Sequence, residues 1–423
     1  MLILANTLEF NGGTTFILRF CKENFQRGKN TGVLCMTGNS KSPLPLHHEI
    51  SKYADIYYIS DNANSLVAKY FCNTPLAGFL PIKSYKVRDI IQKYSNNVHV
   101  MGVFGLLFMA RYIKETREIV NISAGVYHQN EFMFNSNRLF SKHAHDLFKS
   151  LGENGVIFFN EANVRSYSKF FNMDYRSASI SPIGIEIPNN DNFSLGSYNS
   201  NRIVSIGNLV NFKTYNSHII KLLPRLLKLN PRLRYEIYGD GPCKQDLIKI
   251  AKEFGVFENV IFRGTVEYSK FSTAVNNSFL FVGSGTAVIE AAALGIPSMI
   301  GIESSKEPIT YGFINEIEGY SYNEYDPNRC SYNIYDRIES LIENVEYWEK
   351  ISIACKRKAV EFSINNTVDI FEDNCLRFTS LDVLLVNKYS NCRLLFSFLY
   401  CAFLDLINFD KSFSNRRNQG SLA

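Results

Sequence analysis

Apolar positions in this chain fall into short solid runs separated by longer amphipathic stretches, and residues 279–301, FLFVGSGTAVIEAAALGIPSMIG, show the alternation most plainly. The run 279–282 predicts a buried strand, since it is too short for an ordinary helix. Gly283, Ser284 and Gly285 follow, small residues that let the backbone turn sharply and approach a ligand. Thr286 predicts a helix cap, and 287–294 a helix closed by Gly295 and Pro297. A strand, glycine loop and helix in that order aim free backbone N–H groups and a positive helix end at whatever lies above the loop, which favours phosphate. Glu290 sits one turn into the helix, where its carboxylate can accept hydrogen bonds from vicinal hydroxyls such as those of a ribose. An ordinary strand-to-helix connection with a solvated glutamate has the same pattern, and the loop alone does not separate the two.

The rest of the chain extends the pattern. Residues 1–185 predict strands at 2–5, 32–36, 56–59, 98–103, 119–124 and 156–160 with helices between them, hence a parallel sheet with crossover helices. Gly12 and Gly13 predict a tight loop after the first strand, with a helix at 14–23. Ligands of such sheets lie beyond the carboxyl ends of the strands, where Gly12, Gly13 and the stretch 125–128 fall. Residues 186–201, EIPNNDNFSLGSYNSN, are rich in Asn, Ser, Pro and Gly and predict a linker. Strands resume at 203–206, 234–238, 260–263, 279–282 and 298–302, giving a second α/β sandwich over 202–375. The expected fold is α/β, two Rossmann-like αβα domains facing across a cleft. Residues 331–363 predict helix, with Trp348, Ile338, Leu341, Ile342 and Val345 on its buried face. A C-terminal extension, 376–423, contains an apolar run at 394–404 that is too short to span a bilayer. Beside Lys411, Arg416 and Arg417, that run is suited either to a membrane interface or to packing against the protein.

Composition narrows the class. At 423 residues, 46% hydrophobic and 20% charged, the chain has the make-up of a folded protein of two domains. A net charge of +5 is small for this length and gives no case for nucleic acid, while leaving a weak attraction to anionic lipid. The 9 cysteines are scattered without a C-x-x-C spacing, which argues against a disulfide framework or zinc site and suits the cytoplasm. The N-terminus, MLILANTLEF, lacks a basic region and long apolar stretch and reads as a first strand.

Some signals are weaker than they look. The run GVLCMTGNSK at 32–41 has the wrong spacing for a phosphate loop, with Asn39 where lysine belongs. His47, His48 and Glu49, and His143, His145 and Asp146, have ligand chemistry but not helical ligand spacing. No Asp-x-Asp pair occurs, so no metal is expected; Lys, Arg and helix ends must neutralise any bound diphosphate.

These pieces in sequence resemble the family-four retaining glycosyltransferases of the GT-B fold, which build bacterial surface polysaccharides such as O-antigen and capsule. NGGTTFILRF is similar to the family's first glycine loop, and ISAGVYHQNEF to the strand ending in its active-site histidine. VIFFNEANVRSY and SPIGIEIP resemble the end of the first domain. SIGNLVNFK resembles the G-R-L-x-x-x-K loop, YEIYGDGPCKQDL and NVIFRGTVEY the strands around the nucleotide base, and SGTAVIEAAALGIP the second half of a two-glutamate motif. The likeness spans roughly 300 residues in order and fades after about residue 370.

The resemblance implies a metal-independent enzyme with a nucleotide-diphosphate sugar as co-substrate and a saccharide or lipid-linked acceptor. It implies a cytoplasmic location, with peripheral contact at the inner membrane. Lys213 would stabilise the departing diphosphate, and His128 would lie by the donor sugar and reaction centre. Glu290 would hold the ribose. Gly285 and Thr286 would lend backbone donors to phosphate, Asn208 and Arg263 would lie at the donor, and Gly12 and Gly13 would shape the acceptor or diphosphate side. Two positions depart from the pattern: Asn208 stands where arginine is usual, and Val282 where the first motif glutamate belongs. These departures also suit a non-catalytic nucleotide-sugar-binding scaffold of a polysaccharide assembly complex. Sugar-nucleotide epimerisation is a third reading.

Overall fold

The computed structural model describes all residues except 64–69, 189–195, 327–328, 378 and 413–423, and the side chain of Ala77. It divides into two units: residues 1–184 with 364–412, and residues 185–363.

The first unit is built on a parallel seven-stranded sheet, order β3-β2-β1-β4-β5-β6-β7. The strands are β1 (Leu2–Ala5), β2 (Gly32–Cys35), β3 (Asp55–Tyr58), β4 (Asn97–Val100), β5 (Asn121–Gly125), β6 (Val156–Phe158) and a short β7 (Ser179–Ile180) that the sequence pattern did not show. Successive residues of a strand point to opposite faces, and the cores sort accordingly. Leu2, Leu4, Val98, Ile122 and Phe158 join one apolar cluster, whereas Ile3, Ala5, Val33 and Phe159 join another.

The second cluster is closed by chain from far downstream. Helix Ile364–Cys375 lays Phe371 against Phe16 and Phe20 of helix Gly12–Gln26, with ring centroids 6.0 and 5.0 Å apart. Arg27 pairs with Asp369, and the buried Arg19 donates to the Gly184 carbonyl at 3.0 Å. Residues expected to complete the second domain (364–375), and the described part of the extension after them, therefore belong to the first unit. The second unit begins at Ile185, so the ends of the expected 186–201 linker lie within it, and 189–195 fall outside the described residues.

Helix Asn391–Leu406 also packs on the first unit. Leu394, Phe398, Cys401 and Leu404 form its buried face, and Phe398 stacks on Phe79 at 6.0 Å. Its opposite face is apolar too, with Phe396 70% and Leu406 79% exposed. No described helix is long and apolar enough to cross a membrane.

The second unit holds a parallel five-stranded sheet, order β10-β9-β8-β11-β12. Its strands are β8 (Arg202–Ile206), β9 (Arg234–Tyr238), β10 (Val260–Gly264), β11 (Leu280–Gly283) and β12 (Ser298–Ile300). Its core draws on residues 185–362 alone. The long helical stretch expected at 331–363 is two helices, Ile334–Glu343 and Val345–Val360, because Asn344 turns extended (φ −137°) and its side chain accepts from the Tyr347 N–H at 2.9 Å.

Candidate functional site

In a doubly wound parallel sheet the ligand crevice opens where the strand order reverses. In the second unit that is between β8 and β11, and the loops after these strands carry Lys213 and the 283–285 turn. Gly207 follows β8 with φ +151°, a value that excludes most side chains, and a Cβ built there would lie 2.7 Å from the Lys213 ammonium nitrogen. The missing side chain is what lets the ammonium fold back over the strand end. Backbone bonds fix the loop: the Lys213 N–H donates to the Val210 carbonyl at 3.0 Å and the Gly207 N–H to Tyr238 at 2.9 Å. Gly239 (φ +146°) passes so close that any side chain on it would strike the Gly207 carbonyl. Asn208 is exposed beside this loop.

After β11 the chain turns at Gly285 (φ +66°), and Gly285 rather than Thr286 is the cap of helix Thr286–Ala293. A glycine cap has no side chain to offer the first helical N–H groups, so the helix keeps a partial positive charge that an anion can meet. One expected donor is engaged, however: the Gly285 N–H donates to Asn323 Oδ1 at 2.9 Å. The Gly285 carbonyl accepts from the Tyr322 hydroxyl at 3.2 Å. Glu290 is half-buried one turn along the helix, within electrostatic reach of Tyr322. Val282 is fully buried in the core, so no side chain at that position reaches the crevice.

A residue that the sequence did not single out completes the group. Glu303, in the loop after β12, accepts from Ser284 Oγ at 2.9 Å and lies within electrostatic reach of Lys213. Burial pushes its carboxyl up to about 7, against the opposing pull of Lys213 and of the Ser284 bond, and Glu324 adds to the rise.

Arg263 lies on β10, where its guanidinium pairs with Glu236 Oε2 at 3.1 Å; the same carboxylate holds Arg202 at 3.0 Å. These two cations keep Glu236 ionised in spite of its burial, its pKa lying below the usual value. Arg263 is thus already committed to a structural carboxylate.

In the first unit, His128 follows the end of β5, half-buried, with the Asn130 N–H directed at its Nδ1 at 3.4 Å. Gly12 and Gly13 do not form a loop ahead of the helix but are its first two residues, capped by Asn11, whose Oδ1 accepts from the Thr14 N–H at 3.1 Å. A Cβ on Gly12 would meet nothing within 4 Å. The strand order of this unit reverses between β1 and β4. There, helix Val103–Thr116 is capped by the protein's own carboxylate, the Val103 N–H donating to Glu131 Oε1 at 3.3 Å. A side-chain carboxyl group therefore already meets that end of the helix.

Two of the discounted histidines, His47 and His145, have hydrogen-bond partners within the protein. His47 Nδ1 meets the Tyr58 hydroxyl at 3.0 Å, and His145 Nε2 accepts from the Phe134 N–H at 3.2 Å. Burial lowers both His143 and His145 to about 4. Among the described residues no group of three or more His, Cys, Asp or Glu is placed to hold a metal ion.

Two parallel-sheet α/β units of this kind define the GT-B glycosyltransferase fold. Solved structures share it over nearly their whole length. Staphylococcus aureus TarM, as a mutant in complex with Fondaparinux, alpha-GlcNAc-glycerol and UDP, is 12% identical, covering 89% of this chain and 99% of its own, with a TM-score of 0.62. A glycosyltransferase from Rickettsia africae is 14% identical over 89% and 98%, with a TM-score of 0.61. Anabaena HepE in complex with UDP is 13% identical over 88% and 98%, with a TM-score of 0.59. No curated protein matches the chain in sequence. Residues 189–354 match the family described as Glycosyl transferases group 1.

Proposed function

We propose that the protein transfers a sugar from a nucleoside-diphosphate sugar to a saccharide or lipid-linked acceptor in building a cell-surface polysaccharide, with retention at the anomeric carbon and without a metal. The observation that carries this reading is the cluster at the carboxyl ends of β8 and β11 within the stretch that matches the group 1 family: Lys213, the glycine-capped helix and Glu290. A cation beside a helix end suits a diphosphate, and Glu290 one turn away suits the ribose hydroxyls. As the sugar–phosphate bond breaks, charge builds on the leaving diphosphate, and the Lys213 ammonium stabilises it where it develops.

The test is transfer of radiolabelled sugar from a panel of nucleotide sugars to lipid extract of the source cells. Product with one donor, lost in Lys213→Ala while the thermal midpoint holds, is the expected result. Parallel loss of activity and folding would remove Lys213 from the chemistry.

A lipid-linked acceptor fits the outer face of helix Asn391–Leu406. Phe396, Leu399, Tyr400, Phe403, Leu406 and Ile407 are all exposed there at helical spacing, with exposed Arg393 and Lys411 at the two ends. An apolar, aromatic stripe flanked by cations is the pattern of a helix lying in the interface of an anionic membrane. We take this face to sit on the cytoplasmic leaflet. Sedimentation with vesicles containing phosphatidylglycerol, lost in a Phe396→Ser/Phe403→Ser double variant, is expected; equal sedimentation of the two proteins would exclude the face as the anchor.

Buried Val282 and uncharged Asn208 favour one other reading, a nucleotide-sugar-binding scaffold without turnover. Asn208→Arg, a substitution at an exposed position, separates them. Activity gained by an inert protein supports the scaffold, whereas an enzyme fitted to its own donor loses turnover.

A further inference from the structure

Glu303 is held against the site from several directions. Ser284, only 3% exposed and the middle residue of the 283–285 turn, gives it a hydroxyl proton at 2.9 Å. Its own N–H donates to the Asn323 carbonyl at 2.9 Å, and Asn323 accepts from the Gly285 N–H at 2.9 Å. The next residue, Ser304, donates to the Phe212 carbonyl at 2.6 Å, which ties this loop to the one bearing Lys213. The charged and titratable groups around the carboxyl are Lys213 from the loop after β8, Tyr322 and Glu324 from the 320–326 segment, and Glu290, which faces Tyr322 from helix Thr286–Ala293. His218, on helix Tyr215–Leu229, lies further off near Lys306 and Glu307 and is held below its ordinary value by burial.

We infer that Glu303 is a further residue of the diphosphate site, one that admits a diphosphate only in its neutral form, because an ionised carboxylate there competes for Lys213 and Ser284 and repels the incoming phosphates. The inference rests on the nucleotide-sugar reading of this site. With its carboxyl raised to about 7, Glu303 can take either form near neutral pH. Below that value it is already neutral and the Lys213 charge is available to the ligand. Above it, binding must draw a proton from solvent, so affinity falls as pH rises. For a single group of this kind the fall between pH 6 and pH 8 is about tenfold.

The experiment is isothermal titration of the full-length protein with UDP-glucose, UDP-N-acetylglucosamine, GDP-mannose and dTDP-glucose at pH 6 and pH 8, in buffers of differing ionisation enthalpy. The phosphates of a nucleotide sugar keep a fixed charge over this range, so the protein alone can supply the pH dependence. The expected result is binding of one donor about tenfold weaker at pH 8, with close to one proton taken up per nucleotide there and almost none at pH 6. Glu303→Gln should bind at pH 8 as the wild type does at pH 6, without proton uptake. A donor that binds equally at both pH values, or a pH dependence that survives in Glu303→Gln, overturns the inference and leaves the donor site standing. Absence of binding by every donor at both pH values overturns both. Should Glu303→Gln fail to fold, Ser284→Ala takes its place: loss of the hydroxyl that bonds the carboxylate should shift the pH at which the proton is taken up, and an unshifted profile overturns the inference.

Discussion

Lys213 and Glu290 carry separable parts of the account. In the proposed reaction Lys213 acts as charge develops, so Lys213→Ala should lower turnover about a hundredfold or more while shifting the thermal midpoint little. On the same proposal Glu290 acts on the bound nucleotide, so Glu290→Ala should weaken nucleotide-sugar binding about tenfold to a hundredfold, the worth of hydrogen bonds to a charged group. Titration calorimetry and initial rates on the same preparations distinguish the two. The placement of both residues was legible in the sequence because each lies within a local pattern, a loop lysine after a strand and a glutamate one turn past a glycine loop. Glu303 was not, since its partners Ser284, Lys213 and Glu324 come from segments that only the fold brings together. Arg263 was visible as a cation, but its pairing with Glu236 depends on neighbouring strands.

The elements follow from short-range rules that the chain obeys, with exceptions where a single residue redirects the backbone. Asn344 divides one expected helix into two, and Gly285 takes the cap position expected of Thr286. The close passage of the loops after β8 and β9 makes a specific demand: Gly239→Ala combines positive φ with a clash on the Gly207 carbonyl. It should lower the thermal midpoint by several degrees and abolish nucleotide-sugar binding through the displaced Gly207–Lys213 loop. Gly12→Ala is the contrasting case, a substitution into open space in the first turn of a helix. It should leave the midpoint unchanged, and differential scanning calorimetry on the two variants checks the contrast.

At the scale of the molecule, alternating strands and helices made both sheets readable from sequence apart from the two-residue β7, whereas the return of residues 364–412 to the first unit was not readable. A long-range partnership such as Phe371 on Phe16 and Phe20 leaves no local pattern. That return has a consequence for fragments. Residues 185–363 own their whole core and should fold alone and bind the donor, whereas a chain ending at 363 exposes Phe16 and Phe20 and should aggregate. Expression of the two fragments, with circular dichroism and light scattering, tests this division. The claim on which the rest stands is that the second unit binds a nucleotide-diphosphate sugar. A thermal-shift screen of the full-length protein against nucleotide sugars and free nucleoside diphosphates, without added metal, tests it most directly. The account predicts a rise in midpoint with one nucleotide sugar that disappears in Glu290→Ala; a folded protein that shifts with none of them would contradict it.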